Sequence, residues 1–403
     1  MATVSLSAID ALLKEVYEDR LRDQLASDTV AAKRIVTTSE GVTNDVGGKY
    51  VMFPVRIKRN HGIGARNENE ALPVARTQGY AAAKVTLAYL YGALQITGQT
   101  MELAEKNSQA FASALSQELN GLREGLSKDY GRQVYGTSAG KIATSNAAGS
   151  TTTFVCADSQ AIYLEIGMVV DTYTSGDTLR NSSSEITNIS STGGVTTVTF
   201  TPAATATASG DYIVRAGSIN RETVGFSQIV STTGQLFNID PATVPVWSAN
   251  VDSNGGTPRA VSEGLMTKMA DTIRTRGGNV TAIFTSLGVR RQYFNMLSQQ
   301  RQFVNTKEFT GGFNALAFTT DKGDIPVVSD VDCQRNRMYF MNEKELKIYQ
   351  EGDWSFMNRD GSNWNRVVDS TGAYDAYGSM MYKYCNMATH RRNSHGLITD
   401  IAE

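Results

Sequence analysis

The stretch from Gln99 to about Tyr135 constrains this chain most. Apolar residues recur there at Phe111, Leu115, Leu119, Leu122, Leu126, Tyr130 and Val134. Steps of three and four residues draw one stripe along a helix of 3.6-residue period. Glu102, Glu105, Lys106, Gln109, Glu118, Arg123, Glu124 and Lys128 mostly occupy the other faces. At ~1.5 Å per residue such a helix is roughly 50 Å long, more than a compact domain needs. Gly121, Gly125 and Gly131 interrupt it, each costing about 1 kcal/mol relative to Ala, so packing along the stripe has to offset them. A long one-sided helix lies across something flat. The residues before it read as an arm and a loop; those after it read as sheet laid against it.

Length and charge bound the rest. At about 150 residues per domain, 403 residues suggest two or three domains. With 38 basic and 40 acidic residues the chain as a whole is no electrostatic nucleic-acid binder, although one basic face would suffice to line a container of nucleic acid. The three cysteines, Cys156, Cys333 and Cys385, are far apart and form no CxxC pair. Neither a disulfide framework nor a zinc ribbon is indicated, and buried free thiols are expected. Met1-Ala-Thr-Val-Ser carries no signal-peptide pattern, and no apolar run is long enough to span a bilayer.

Taken in order, residues 5 to 26 read as a helix with Ser7 as N-cap and Ile9, Leu12, Leu13, Val16, Tyr17 and Leu21 on one face. Residues 27 to 48 carry no strong period and read as an extended arm. Val51, Phe53, Val55 and Ile57 then alternate with Met52, Pro54, Arg56 and Lys58, a strand that Pro54 confines to an edge or a two-stranded ribbon. The return strand alternates Val85, Leu87, Tyr89 and Tyr91 against Lys84, Thr86, Ala88 and Leu90. Between them lies a long polar tip holding Arg66, Glu68, Glu70 and Arg76. A solvated tip and a contact surface both fit. Because an isolated ribbon is marginal in water and long loops are usually functional, these four residues are the candidate inter-subunit contacts.

Past Tyr135 the texture changes. Residues 137–216 are rich in Ser and Thr and poor in charge. Short alternating strands stand out at 167–173, 184–189, 195–200 and 211–215, with Gly193-Gly194 as a hairpin turn. This reads as a small all-β unit, barrel or sandwich. Pro258 is expected to open a helix with Val261, Leu265, Met269 and Ile273 in register. A buried strand (281–285), a helix (Arg290 to Leu297), strands at 325–328, 337–341 and 345–349, a long strand (Tyr374 to Thr389) and a closing strand (Leu397 to Ile401) come next. Helices and strands mix without a regular βαβ rhythm, so the class is α+β.

A search for chemistry comes back thin. His390 and His395 flank Arg391-Arg392-Asn393-Ser394, a spacing that matches no zinc pattern; His61 sits in the ribbon tip. No GxSxG, GxxxxGK[ST] or strand-borne GxGxxG occurs. Asp330-Val-Asp332 reads as turn chemistry before paired carboxylates, and Trp354, Phe356 and Trp364 as packing under a hairpin at Asp360-Gly361. The pairs Arg290-Arg291 and Arg391-Arg392 are candidates to touch phosphate or a neighbour's carboxylates. No catalytic residue, cofactor or metal is expected.

The order of parts resembles one family, the major capsid proteins of tailed phages with the Hong Kong 97-type fold. Ala93-Leu-Gln-Ile-Thr-Gly-Gln-Thr-Met-Glu-Leu103 resembles that family's passage from extended loop to spine helix. Phe237-Asn-Ile-Asp-Pro241 to Trp247 resembles the segment before the axial-domain helix, and Asp324-Ile-Pro-Val-Val-Ser-Asp330 with Met338-Tyr-Phe-Met-Asn342 resembles a characteristic strand pair. The resemblance implies an α+β phage major capsid fold with an N-terminal arm (1–48), an extended β-ribbon loop (49–97) and a spine helix (98–136). An all-β insertion domain (137–216), peripheral segments (217–255 and 345–403) and an axial domain (256–344) complete it.

By the same resemblance the function is a shell subunit, not an enzyme. It would form hexamers and pentamers of an icosahedral head around dsDNA bound non-specifically, be assembled in the host cytoplasm and end in the virion. Its implied partners are further copies of itself, a portal and, with a decoration protein left open, a separate scaffolding protein, since Met1 opens almost directly into an arm-like helix. Lys84 lies on the extended loop, but no matching set of residues supports a Lys–Asn cross-link. The rivals are an encapsulin-like compartment shell, a soluble enzyme with an unrecognised site and, third, a Ser/Thr-rich adhesin.

Overall fold

The computed structural model describes residues 30–39, 50–99, 108–202, 205–299, 307–308, 314–358, 361–369 and 372–403. The helix expected over 5–26 lies outside them. The stretch expected to be an extended arm is, where described, one turn of helix α1 (Val30–Arg34) followed by β1 (Val36–Thr38). It docks on its own body: Ala31 and Ile35 are buried, and Arg34 grips Glu343 through two hydrogen bonds of 2.5 and 2.9 Å.

β2 (Tyr50–Lys58) and β3 (Gly79–Thr86) form a two-stranded antiparallel ribbon. Its alternation is as expected, with Val51 and Val55 buried and Met52, Pro54, Arg56 and Lys58 exposed. Pro54 has no N–H to donate, and a ribbon strand tolerates that. The return strand departs from expectation. It breaks at Leu87, and β4 (Ala88–Thr97) continues with the opposite phase: Ala83, Val85 and Leu87 are buried before the break, Ala88, Gly92 and Leu94 after it. Side chains alternate with period two, so a one-residue kink reverses every side chain beyond it. Tyr89 and Tyr91, expected to share a face with Val85, are therefore 55% and 53% exposed.

The long helix α2 (Ser108–Tyr135) spans ~42 Å; residues 100–107 lie outside the described part. Its stripe packs where it can be followed. Leu119 meets Leu94 and Ile96, Leu122 and Leu126 meet Leu90, Trp354 and Met381, and Val134 enters the main core. Gly92 makes the close approach possible, since a Cβ there would stand 2.9 Å from both Leu122 and Leu126.

Six strands come after the helix: β5 (Ala143–Thr144), β6 (Thr153–Ala157), β7 (Val169–Tyr173), β8 (Leu179–Thr192), β9 (Val195–Thr201) and β10 (Tyr212–Arg215). They pair in the order β5-β10-β7-β8-β9-β6, all antiparallel. A bridge between Ser145 and Cys156, with Asn146 N–H on Val155 O at 3.1 Å, closes the sheet into a barrel. Phe154, Cys156, Val170, Ile186, Val198, Phe200 and Ile213 fill it as a core of their own. Gly193 and Gly194, at φ 63° and 84°, supply the two left-handed positions that the tight β8–β9 turn requires.

The body resumes with β11 (Asn250–Asp252), α3 (Glu263–Thr275), β12 (Ala282–Thr285), α4 (Leu287–Gln299), β13 (Lys307–Glu308), β14 (Asn314–Thr320), β15 (Gly323–Ser329) and β16 (Met338–Met341). Pro258 does not open α3. Ser262 caps it, accepting from Leu265 N at 3.2 Å, and Val261 stays outside as a buried residue, because a Ser side chain satisfies a free N–H of the first turn and Pro cannot. β12 is buried on both faces, sending Ala282 and Phe284 into the main core and Ile283 into a second core under α3 and α4. The chain ends through β17 (Leu346–Gln350), β18 (Ser355–Phe356), β19 (Asn365–Asp369), β20 (Gly372–Thr389) and β21 (Gly396–Ile398). β21 joins the seven-stranded sheet β11-β21-β16-β12-β15-β14-β13. β20 carries β4 along one edge and β17, β18 and β19 along the other, and β1 lies parallel to β17.

Candidate inter-subunit surface

The ribbon stem leans on the body: Phe53 stands edge-on to His390 at 4.6 Å, and Lys84 N–H bonds Phe237 O at 3.0 Å. Beyond Lys58 the packing stops. Arg66, Glu68, Glu70 and Arg76 all lie exposed on the tip, but they do not form one cluster. Arg66 holds the turn by donating to Ala65 O and Ala71 O, both at 2.9 Å, while Glu70 accepts from Asn67 N and Nδ2 at 3.1 Å. Two of the four thus shape the tip, and Glu68 and Arg76 project from it.

The apolar side chains of the same segment are the feature that charge-based reading missed. Ile63, Leu72 and Val74 are 81%, 82% and 75% exposed. Three large apolar side chains held in water by a preformed loop are the kind of exposed apolar surface that protein contacts favour. Pro73 between Leu72 and Val74 was the available signal, since it stiffens an extended segment. A second exposed set lies on β4 and β20, where Tyr89 and Tyr91 stand edge-on to Tyr384 at 4.9 and 6.1 Å.

Polar contacts fasten the barrel to the spine. Asp129 on α2 accepts from Arg215 Nε at 2.7 Å and from Arg132 Nη2 at 2.9 Å. Arg132, almost wholly buried, also donates to Glu222 at 2.5 Å. Burial alone would push the Asp129 carboxyl up, but the two guanidiniums outweigh it and hold it below its ordinary range. Burial wins at Glu222, whose carboxyl is raised despite the Arg132 guanidinium beside it. Lys128 bridges to Glu165 at 3.2 Å, and Tyr163 donates to Asp332 O at 2.7 Å. Beside that junction runs an open groove of about 1200 Å³ between β4, α2 and residues 215–222 and 235–238.

The remaining candidates do not converge. His395 is buried, takes Asn342 N–H on Nδ1 at 3.2 Å and lies 2.8 Å from Thr389 Oγ1; burial, with Arg391 nearby, pushes it down to about 3, so it stays neutral. Arg392, proposed to reach phosphate, is instead 1% exposed and donates to the carbonyls of Gln228, Ile229, Thr233 and Gly234. Asp330 is a turn carboxylate that also accepts from Ala31 N and Tyr135 Oη. Trp354, Phe356 and Trp364 pack around the spine helix; Asp360 of the expected hairpin lies outside the described residues. The three cysteines are buried and free. Among the described residues no group of His, Cys, Asp and Glu is arranged to hold a metal.

Residues 203–402 match the family model described as SU10 major capsid protein. The chain is a tailed-phage major capsid protein. The cyanophage A-1(L) capsid subunit is similar over 94% of both chains, at 15% identity and a TM-score of 0.58, which carries the Hong Kong 97-type fold across nearly the full length. A protein of Mycobacterium phage Bobi covers 100% of both chains at 10% identity and a TM-score of 0.45. The SrpI encapsulin of Synechococcus elongatus covers 92% of this chain and 86% of its own at 5% identity and 0.42. Scores below 0.5 decide nothing further. No curated protein matches. The family is structural and not enzymatic, and its members are components of the virion shell.

Proposed function

We propose that this capsid protein builds the icosahedral head of a tailed bacteriophage as five- and sixfold rings, with the ribbon tip of each subunit lying on the next. The exposed tip carries this reading: a preformed loop presents Ile63, Leu72 and Val74 beside Arg66, Glu68, Glu70 and Arg76. Apolar area supplies attraction and the charges set register and partner choice. Residues 1–48 act as the arm, 49–97 as the extended loop and 98–136 as the spine. Residues 137–216 are an insertion domain, 256–344 the axial domain, and 217–255 with 345–403 the peripheral domain. The separate core of the barrel and the two cores sharing β12 support that division.

The head assembles in the host cytoplasm around a separate scaffolding protein, takes in a portal and then encloses dsDNA. A net charge of −2 gives no chain-wide attraction to DNA, so the subunit encloses the DNA non-specifically and only a locally basic face would touch it. The test is negative-stain imaging and size-exclusion of the expressed chain, alone and with its scaffold. Closed shells or capsomers are expected. The double variant Glu68→Ala/Arg76→Glu, which leaves the turn contacts of Arg66 and Glu70 in place, should fold normally and assemble poorly. A monodisperse monomer under all assembly conditions, or shells that carry only an enzyme cargo in place of nuclease-protected DNA, would overturn the reading.

A further inference from the structure

Asn-Gly occurs twice in the chain, at Asn120-Gly121 and Asn254-Gly255. Glycine leaves the backbone N–H that follows an asparagine open to approach, because no side chain covers it. The two pairs sit in opposite settings. Asn120 and Gly121 belong to α2, where the helix ladder engages the glycine amide and Asn120 Oδ1 accepts from Arg123 Nη1 at 3.1 Å. Asn254 and Gly255 lie beyond β11 in a loop exposed from Ser253 to Pro258. Gly255 and Gly256 have φ of 65° and 84°, and Thr257 N–H closes a tight turn on Asn254 O at 3.2 Å.

This turn carries a proton path. Gly255 N–H donates to Ser253 Oγ at 3.2 Å, and Ser253 Oγ donates to Asp400 Oδ2 at 2.9 Å. The hydrogen on Gly255 N therefore already points into a hydroxyl–carboxylate relay. Asp400 Oδ2 also accepts Asn254 N–H at 2.8 Å and Gly256 N–H at 3.2 Å, so the turn is tied to the carboxylate on both sides of Gly255. Asn254 Nδ2 donates to Thr257 O at 2.8 Å, which keeps the side-chain amide over the turn.

From this relay we propose that Asn254 is a self-modification site, deamidated by attack of the Gly255 amide with Ser253 and Asp400 moving the proton. Gly255 N bonds to Asn254 Cγ while its proton passes through Ser253 Oγ to Asp400. The new bond closes a cyclic imide, the Cγ–Nδ2 bond breaks, and the nitrogen leaves as ammonia with that proton. Water then opens the imide at either carbonyl to give aspartate or isoaspartate, and nothing is oxidised or reduced. Either product sets a second carboxylate against Asp400, and like charges at one site repel. The same stretch holds the end of the chain. Thr399 N–H bonds Asp252 O at 3.0 Å, Arg259 N–H bonds Asp400 O at 2.7 Å, and Ala402 N–H bonds Arg259 O at 2.8 Å. The modification loosens residues 399–402 from this loop.

The test is peptide mass mapping of the purified full chain during a warm incubation at mildly alkaline pH, with Ser253→Ala beside wild type. The wild-type peptide holding Asn254 should gain a single mass unit and separate into two isomers, while the peptide holding Asn120 stays unchanged. S253A keeps the Asn-Gly pair and should melt like wild type, yet convert at least ~tenfold more slowly, short of the ~10²-fold that a well-placed base supplies. The wild-type chain unfolded in guanidinium chloride is the reference, and the folded chain should convert faster than it does. Asn254→Asp, which carries the product's charge, should show faster hydrogen exchange at residues 399–402. Conversion of Asn120 as fast as Asn254, a folded rate no higher than the unfolded one, or S253A converting like wild type each overturns the proposal. Unchanged exchange in N254D overturns the loosening.

Discussion

Asp129 on the spine helix accepts from Arg215 at the end of the barrel's last strand, 2.7 Å away. Among the described residues the barrel and body have separate apolar cores, so this carboxylate and the ion pairs beside it fix how the barrel sits on the spine. Asp129→Asn leaves Arg132 buried with a poorly satisfied Glu222, and breaking a buried pair costs about 3 kcal/mol. Denaturant unfolding of the unassembled subunit should show that loss. Arg215→Ala, on a partner 37% exposed, should cost well under half as much. The sign with pH comes from the lowered Asp129 carboxyl. Its contribution is complete above ~3.9 and is lost as pH falls through the folded value, so wild type and D129N should converge in strong acid.

Asp332 behaves in the opposite way. Burial, reinforced by the charge of Asp330, pushes its carboxyl up to about 7, with Lys128 pulling it back. The folded state prefers the proton, so stability is greatest below ~4 and declines as pH rises to about 7. Asp332→Asn should remove that decline and stabilise the subunit at pH 8 by roughly 2 kcal/mol, about half of what a carboxyl moved from 3.8 to about 7 implies, since the partly exposed carboxyl is screened by solvent. A thermal melt series from pH 5 to 8 that shows equal slopes for both proteins would contradict this.

Glycine substitutions should separate two sites that look alike in sequence. Gly92→Val drives a side chain into Leu122 and Leu126, and overpacking of that kind costs about 1–3 kcal/mol. Gly121→Ala meets nothing and should raise stability by up to ~1 kcal/mol through helix propensity. Differential scanning of the two subunits would show shifts of opposite sign.

Arg392→Lys is the conservative-looking change expected to fail. The guanidinium donates to four carbonyls of the loop 228–234, and an ammonium on a flexible stem lacks the fixed fork that reaches them all. Unmade hydrogen bonds to buried carbonyls cost about 1–3 kcal/mol each, so the variant should lose roughly 3 kcal/mol or more. Faster hydrogen exchange confined first to residues 226–236 would locate the effect.

Much of the architecture was legible along the chain because it rests on local rules. The stripe from Leu119 to Val134, the alternation of Val51 and Val55, and the paired left-handed glycines at 193 and 194 each come from periodicity or turn chemistry within a few residues. The ribbon tip was legible as a place, but its apolar residues were masked by the charges around them. Arg392 read as a surface cation because nothing near it in sequence announces carbonyls that lie more than 150 residues away.

The periods in the sequence alone determined that there would be a long one-sided helix, a two-stranded ribbon ahead of it and a Ser/Thr-rich set of strands behind it. Only the tertiary structure decided where β4 turns its side chains over at Leu87, that Ser145 meets Cys156 to close the barrel, and that β4 pairs with β20 alone among the described residues. Period and turn chemistry are properties of neighbours along the chain. Faces, closures and free edges depend on which distant strand arrives, and at what register, so they exist only once β20 and α2 are in place.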